Sequence, residues 1–123
     1  MTANLRAEAT SSLKIYLRRG DNKKGATFWQ RFFEKPLSLY LVKAALKAGI
    51  PYGSVQLGHV GYVPGAKGIA SDTSEVPPVT LPVCVELVGT RAQLEAFASA
   101  ESAQLGRAIL VLYDGISLRG GPE

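Results

Sequence analysis

The chain has one cysteine and one histidine among its 123 residues. A lone cysteine cannot form a disulfide within its own chain, and Cys84 lies in the apolar stretch LPVCVELV, where a small buried hydrophobe is expected. A metal site would have to combine the one histidine, His59, with scattered carboxylates. No serine or cysteine nucleophile stands close to His59 in the sequence. The sequence therefore gives little support to a metal site or to a catalytic triad.

Long hydrophobic runs are also missing. No apolar stretch approaches the length that a membrane-spanning helix needs, and the first residues, MTANLRAEATSSLK, lack the apolar centre of a secretory signal. We therefore expect a cytoplasmic protein. With 46% hydrophobic and 20% charged residues, the composition is typical of a globular domain, and the chain length predicts one such domain.

The net charge of +4 is concentrated near the start of the chain. The first 35 residues hold eight lysines and arginines against three acidic residues, so the remainder is slightly acidic. A basic cluster of this kind attracts anions such as phosphates, nucleotides or nucleic acid. The run RRGDNKK, which contains Arg18, Arg19, Lys23 and Lys24, is explained more simply as a solvated surface run.

Hydrophobic patterns predict six elements in the order strand, helix, strand, strand, helix, strand. The third strand, TLPVCVELVGT, is nearly all apolar and is expected in the centre of a sheet. Pro36 is expected at the first position of the first helix, Gly49 at its end, and Thr90 as the cap of the second helix. The predicted elements span residues 13–19, 35–50, 53–63, 80–90, 91–105 and 107–119.

This order is that of the ferredoxin-like fold, βαββαβ, an α+β domain in which two helices cover one face of a four-stranded antiparallel sheet. We predict a single domain over residues 13–119, with a flexible segment at 1–12 and a tail at 120–123. The stretch GATFWQRFFE, residues 25–34, is predicted to be a short aromatic helical segment in the core or in a subunit contact. The open face of the sheet is expected to be covered by a neighbouring subunit.

The stretch GHVGYVPGAKGIASD, residues 58–72, breaks every helical or strand period, and the chain is predicted to stay irregular to Pro78. A structureless loop of this length is usually functional or disordered. It is neither a Walker loop nor a dinucleotide fingerprint, because the glycine spacing is wrong. Its glycines allow close approach of backbone N–H groups to a phosphate, with Lys67 supplying charge. The alternative is that Gly58 and Gly61 merely permit a bulge where the strand bends away.

Three blocks of the sequence resemble PII-like signalling proteins, specifically the small branch catalogued as a domain of unknown function. The first is KPLSLYLVKAALKAGI, and the second is SVQLGHVGYV, in which Gly58, Gly61 and Tyr62 match a Gly-x-x-Gly-aromatic motif. The third is LPVCVELVGTRAQLEAF. Together the blocks extend from Lys35 to Phe97, about half of the chain.

The resemblance implies a non-enzymatic ferredoxin-like homotrimer that binds an adenine nucleotide in clefts between subunits. ADP or AMP is favoured, because SAQLGRAIL lacks the glycine-rich phosphate loop of true PII proteins. Bicarbonate is a candidate co-ligand, and a role in inorganic-carbon metabolism is one option that the family offers. A long loop, the T-loop, at residues 63–79 would switch conformation and contact a target protein, of which a membrane transporter is one example; no nucleic acid is expected.

The resemblance also implies roles for particular residues. Independently of the resemblance, the ring of His59 is expected to make a hydrogen bond at the base of the loop, with pH sensing as the less favoured alternative. The predicted nucleotide-binding residues are Gly58, His59, Gly61, Tyr62, Arg107 and Arg119. The predicted partner-binding residues of the T-loop are Pro64, Gly65, Lys67 and Gly68.

Three alternatives remain open at the level of sequence. A trimer like the CutA metal-tolerance proteins would share the fold but would need several metal ligands near the cleft, where His59 stands alone. A small enzyme acting on phosphorylated substrates would need a general base, and none stands at a convincing position. A basic nucleic-acid-binding module would use Arg18, Arg19, Lys23 and Lys24, and its binding would depend steeply on salt.

Overall fold

A computed structural model describes residues 5–22, 36–73 and 78–120 of the chain. The predicted aromatic segment at residues 25–34 lies outside the described residues. The elements in chain order are strand β1 (Leu5–Arg18), helix α1 (Leu37–Lys47), strands β2 (Tyr52–Leu57), β3 (Val60–Gly61), β4 (Ala70–Ser71) and β5 (Pro82–Gly89), helices α2 (Arg91–Ala100) and α3 (Ser102–Leu105), and strand β6 (Ile109–Gly120).

Four strands form one antiparallel sheet in the order β2-β5-β1-β6. The α+β ferredoxin-like fold is therefore confirmed, and β5 has a neighbour on each side, as its apolar sequence predicts. One face of the sheet is buried beneath the helices because alternate residues of a strand point to the same side. Its core comprises Leu13, Ile15, Leu17, Leu37, Leu41, Ala45, Ile50, Val83, Val85, Leu87, Leu94, Phe97 and Leu105.

The ends of the helices follow local signals with one correction. Thr90 caps α2 as predicted: its hydroxyl accepts from the Gln93 amide at 3.1 Å, and the Gln93 side chain accepts from the Thr90 amide at 3.0 Å. Gly49 follows α1 with φ +80°, a conformation that favours glycine. The prediction for Pro36 is wrong by one position. Pro36 is extended, with ψ 142°, because it forms a β-bridge with Asn22 before the helix begins.

The first strand starts eight residues earlier than the predicted residue 13. The prediction of a flexible segment over residues 1–12 is therefore wrong from Leu5 onward. Residues 5–10 pair only with residues 115–120 of β6 and extend beyond the end of β5 as a two-stranded ribbon. Residues 5–10 alternate apolar and polar side chains, and their strand is completed by pairing with the distant β6. Residues 1–4 and 121–123 lie outside the described part.

The predicted second strand, residues 53–63, is two strands. β2 ends at Leu57, and after Gly58 and His59 the chain leaves the main sheet. β3 then pairs with β4, through Val60 with Ser71 and Gly61 with Ala70. The segment predicted to be irregular thus contains a small antiparallel ladder at its base.

Candidate functional site

A cleft of about 250 Å³ opens at one end of the main sheet. It lies there because β1 ends beside the beginning of β6, with Tyr16 and Ile109 as the last pair of the register. The base of the predicted T-loop, residues 63–79, closes the third side with Val63 and Pro64. The lining residues are Tyr16, Leu17, Arg18, Asp21, Tyr62, Val63, Pro64, Pro82, Arg107, Ala108 and Ile109.

Asp21 organises the charges of the cleft. Its side chain is 19% exposed; Oδ2 accepts a hydrogen bond from the Arg18 amide at 2.9 Å, and Oδ1 lies 3.7 Å from Nη2 of Arg107. Arg107 is 69% exposed and stands just before β6. The Arg18 guanidinium donates from Nη2 to the carbonyl oxygen of Pro64 at 3.2 Å. Two guanidinium groups and one carboxylate line the cleft, so its net positive charge suits an anionic ligand.

Aromatic and apolar side chains form the remainder of the cleft wall. The Tyr62 side chain is 72% exposed, and Tyr16 and Ile109 are partly exposed beside it. Burial and the neighbouring Tyr113 raise the pKa of the Tyr16 phenol. The cleft therefore combines cationic donors with aromatic surface, the chemistry that binds a phosphorylated, planar molecule.

A second, smaller cavity of about 60 Å³ lies on the other side of Pro82. It holds Gly58 and His59 together with Asp72 and Arg19. Nδ1 of His59 contacts Oδ2 of Asp72, and the Asp72 amide donates to the His59 carbonyl at 2.9 Å. The predicted hydrogen bond of the His59 ring is therefore present. That hydrogen bond, with the charge of Asp72, raises the pKa of His59 above its ordinary value of 6.5.

Packing accounts for the two glycines of the Gly-x-x-Gly-aromatic motif. A Cβ atom at Gly61 would lie 2.8 Å from Cγ of Pro82, and one at Gly58 would lie 3.0 Å from the Pro82 carbonyl oxygen. The Gly58 amide also donates to that oxygen at 2.8 Å. This close approach favours the structural interpretation of both glycines, whereas Tyr62 lines the cleft itself.

The family model DUF190, described as "Uncharacterized ACR", matches residues 10–114. The chain belongs to the DUF190 family. This confirms the resemblance of the three sequence blocks to the small PII-like branch. No curated protein sequence matches the chain significantly.

Solved structures of PII-like proteins are similar to this DUF190 protein. CPII, a nitrogen regulatory PII-like protein from Thiomonas intermedia K12 bound to ADP, AMP and bicarbonate, superposes with a TM-score of 0.53 at 12% identity, covering 95% of this chain and 93% of that chain. A putative PII-like signaling protein from Thermus thermophilus gives a TM-score of 0.51 at 8% identity, covering 92% and 91%. At such identities the similarity shows the fold, and the PII-like fold is confirmed.

The predicted partner-binding residues of the DUF190 protein lie together on the surface. Val63 is buried and anchors the segment, and the Ala66 amide donates to its carbonyl at 3.0 Å, which closes a turn. Gly65, inside this turn, has φ +85°. The exposed residues around the turn include Pro64, Gly65, Lys67 and Gly68. Residues 74–77 of the segment lie outside the described part, and contact with a partner stays a prediction.

Arg119 lies away from the other predicted site residues. It belongs to the ribbon, where its Nε atom is 3.7 Å from Oε2 of Glu8. Twelve residues of chain separate it from Arg107, which corresponds to about 40 Å along a strand. Within one chain the structure brings Arg107 and Tyr62 to the cleft and leaves Arg119 outside it. A role for Arg119 in the cleft requires a second copy of the chain.

Sequence reasoning missed two charged residues of the cleft. It assigns Arg18 to a basic surface run and Asp21 to a turn without function. The run RRGD carries a signal in retrospect, since an aspartate directly after a strand commonly accepts a backbone amide within its own turn. Among residues 5–22, 36–73 and 78–120, no three potential metal ligands cluster. The helices in those ranges include none that is long and apolar enough to cross a membrane.

Proposed function

We propose that this DUF190 protein is a non-enzymatic regulatory protein that binds an adenine nucleotide, ADP or AMP, in the cleft lined by Arg18, Arg107 and Tyr62. The observation that carries the proposal is the presence of two arginines and an exposed aromatic ring in one cleft. The complexes of CPII with ADP, AMP and bicarbonate support it, because they show that this fold accepts such ligands.

Each part of the cleft has a role in this proposal. Arg107 and Arg18 bind the phosphate groups, because a guanidinium forms charge-assisted and often bidentate bonds to phosphate oxygens. Tyr62 stacks on the adenine ring. Asp21 accepts from the Arg18 amide and lies 3.7 Å from Arg107, so it fixes the backbone of the first residue and pairs loosely with the guanidinium of the second. The cleft has no catalytic role in this interpretation.

The proposal includes a homotrimer. The cleft, at about 250 Å³, is smaller than the roughly 300–1,000 Å³ typical of small-molecule pockets, so a second chain would complete it. A neighbouring copy could also bring Arg119 to the ligand. Bicarbonate is proposed as a co-ligand, as in the CPII complexes, which would relate the protein to inorganic-carbon metabolism.

The signal would leave the protein through the T-loop segment. Pro64 lines the cleft and also begins the exposed part of this segment, so a ligand and a partner protein would meet the same piece of chain. The partner is a target protein, for which a membrane transporter is one candidate, and the protein acts in the cytoplasm.

Isothermal titration calorimetry of the full chain with AMP, ADP, ATP and cyclic AMP tests this function. We expect ADP or AMP to bind more tightly than ATP and to bind with one site per chain. Light scattering on the same sample should give the mass of three chains. Absence of heat with all four nucleotides, or a monomer in solution, would contradict the proposal. Salt-sensitive retention of DNA or RNA would instead support the nucleic-acid-binding alternative.

A further inference from the structure

Arg18 contacts both the cleft and the T-loop segment. It is the last residue of β1 and lines the cleft, and its Nη2 atom donates to the Pro64 carbonyl oxygen at 3.2 Å. Pro64 lines the same cleft. The Arg18 guanidinium therefore links the cleft, where an anion would bind, to the T-loop segment, which would contact a partner.

The backbone of Arg18 is held independently of its side chain. Its amide donates to Oδ2 of Asp21 at 2.9 Å, and the residue pairs with Pro82 in the β1–β5 register. The guanidinium stands at the end of a long side chain, so it can change its partner without moving β1. The backbone of Arg18 is thus fixed, while its guanidinium can contact either the Pro64 carbonyl or an anion in the cleft.

The Pro64 carbonyl, which accepts from the Arg18 guanidinium, is a weaker acceptor than a phosphate. The Pro64 carbonyl is neutral, its residue is exposed, and the bond to it is solvent-accessible. A phosphate oxygen carries charge, and a phosphate can accept two hydrogen bonds from one guanidinium. An anion in the cleft is therefore expected to draw the guanidinium away from the carbonyl.

We propose that Arg18 binds the anionic group of the ligand and couples the cleft to the loop, because its guanidinium exchanges the Pro64 carbonyl for a phosphate oxygen. The exchange removes the bond that holds the Val63–Ala66 turn to the end of β1 and so increases the mobility of the turn, while the buried Val63 side chain keeps the segment anchored. The identity of the ligand as a nucleotide rests on the proposed function, whereas the exchange requires only a phosphate-bearing anion.

Arg107 provides the contrast within the same cleft. The ionic partner seen for its guanidinium is Asp21, in the turn after β1, at 3.7 Å. An anion that binds Arg107 would disturb this long contact but would leave the Pro64 carbonyl unaffected. Arg107 thus contributes affinity, and Arg18 contributes affinity and release of the loop.

Hydrogen–deuterium exchange of the loop amides, measured by mass spectrometry on the full chain, tests the proposal. The probes are ADP and inorganic pyrophosphate, and the variants are Arg18→Gln and Arg18→Lys. Lys43→Gln is the matched control, because it removes one positive charge from an exposed position of α1. In the wild type, either probe should raise exchange at residues 65–69 severalfold, chiefly at the hydrogen-bonded Ala66 amide. In Arg18→Gln, exchange should already be raised without a probe, and no probe should raise it further.

Affinities measured on the same variants complete the test. Arg18→Gln should weaken binding of each probe about tenfold, the effect of losing a hydrogen bond to a charged group. Arg18→Lys keeps the charge and should show an intermediate loss with partial response of the loop, and Lys43→Gln should match the wild type. Circular dichroism checks that each variant is folded. If Arg18→Gln is not folded, the test is made with Arg18→Lys alone.

The outcomes separate this inference from the proposed function. ADP binding with loop exchange unchanged, or changed equally in Arg18→Gln, would overturn the coupling and leave the nucleotide-binding function standing. An Arg18-dependent response to pyrophosphate without any binding of ADP would support the coupling and overturn the nucleotide proposal. Failure of the wild type to bind either probe would overturn both.

Discussion

The two ends of the sheet hold their arginines differently. At the ribbon end, Nη1 of Arg91 lies 2.6 Å from Oδ2 of Asp114, and Nε of Arg91 lies 3.3 Å from Oε1 of Glu95. At the cleft end, Nη2 of Arg107 lies 3.7 Å from Oδ1 of Asp21. The two arginines are similarly exposed, at 56% and 69%, so exposure does not explain the difference. Arg91 is held by two carboxylates, whereas Arg107 is held loosely by one.

The ribbon end is built to fix a shape. Ser11 is buried, pairs with both Gly89 and Asp114, and donates from Oγ to Oδ1 of Asp114 at 2.8 Å. Asp114 in turn fixes Arg91, the first residue of α2, at the point where the ribbon leaves the sheet. Arg91 is held by carboxylates that are already in place and stabilises the fold. Arg107 has one distant carboxylate partner and lines a cleft, so it can bind an anion.

The largest expected effect comes from reversing the charge at the cleft end. Arg107→Glu should raise the dissociation constant for ADP about 100-fold, because it removes a charge-assisted bond and places a second carboxylate in the cleft. Its midpoint of thermal unfolding should fall less than for the same substitution at Arg91, since Arg107 has one carboxylate partner at 3.7 Å, whereas Arg91 has two at 2.6 and 3.3 Å. Calorimetric titration and a thermal melt measure the two quantities.

Arg91→Glu is the matched substitution at the ribbon end. It should leave the dissociation constant for ADP unchanged and should lower the midpoint of thermal unfolding, because it sets a carboxylate beside Asp114 and Glu95. If both variants lose affinity equally, or both lose only stability, the distinction between the two ends fails.

Removal of the aromatic ring at the cleft end should have the next largest effect. Tyr62→Ala should weaken ADP binding about tenfold, since stacking of a base on an aromatic ring is worth roughly 1–3 kcal/mol. Tyr62→Phe keeps the ring and should bind nearly as tightly as the wild type. Pyrophosphate, which has no base, should bind both variants equally. A Phe variant as weak as the Ala variant would mean that the hydroxyl, not the ring, contacts the ligand.

Acid should lower the stability that Asp114 provides at the ribbon end. The hydrogen bond from Ser11, followed by the charge of Arg91, holds the pKa of Asp114 below its ordinary value of 3.8, although desolvation acts the other way. Asp114 therefore adds stability that is fully present above the ordinary value and is lost as the pH falls through the lowered one. Melts recorded from about pH 2 to pH 7 should show a flatter acid limb for Asp114→Asn. Parallel limbs in the two proteins would contradict this assignment.

Local patterns predict much of the fold. The nearly continuous apolar run of β5 places it inside the sheet, Thr90 marks the start of α2, and Gly49 marks the end of α1, because each signal acts within a few residues of itself. The ribbon is not predictable in this way. Leu5 gains its partner, Gly120, from the other end of the chain, and no local property of residues 5–10 reports that pairing.

The site is predictable only in part, for a related reason. A resemblance names Tyr62 and Arg107, and the structure does bring them to one cleft. Sequence reasoning misses Arg18 and Asp21 because their importance arises where β1 ends beside β6, a long-range contact. The sequence leaves Gly58 open to interpretation as a ligand contact, but its close neighbour is Pro82, which is also distant in sequence.

The smallest effect is expected at the second cavity, where His59 meets Asp72. The hydrogen bond to Asp72 and the charge of Asp72 raise the pKa of His59. The protonated pair therefore stabilises the loop base fully at a pH below the ordinary value of 6.5, and this contribution is lost as the pH rises through the raised value. Because the chain has one histidine, its NMR signal can be titrated without assignment. We expect a midpoint above 6.5 in the wild type and a lower one in Asp72→Asn. Pro82 separates this pair from the cleft, so Asp72→Asn should leave the affinity for ADP unchanged. A loss of affinity would mean that the ligand site includes the second cavity.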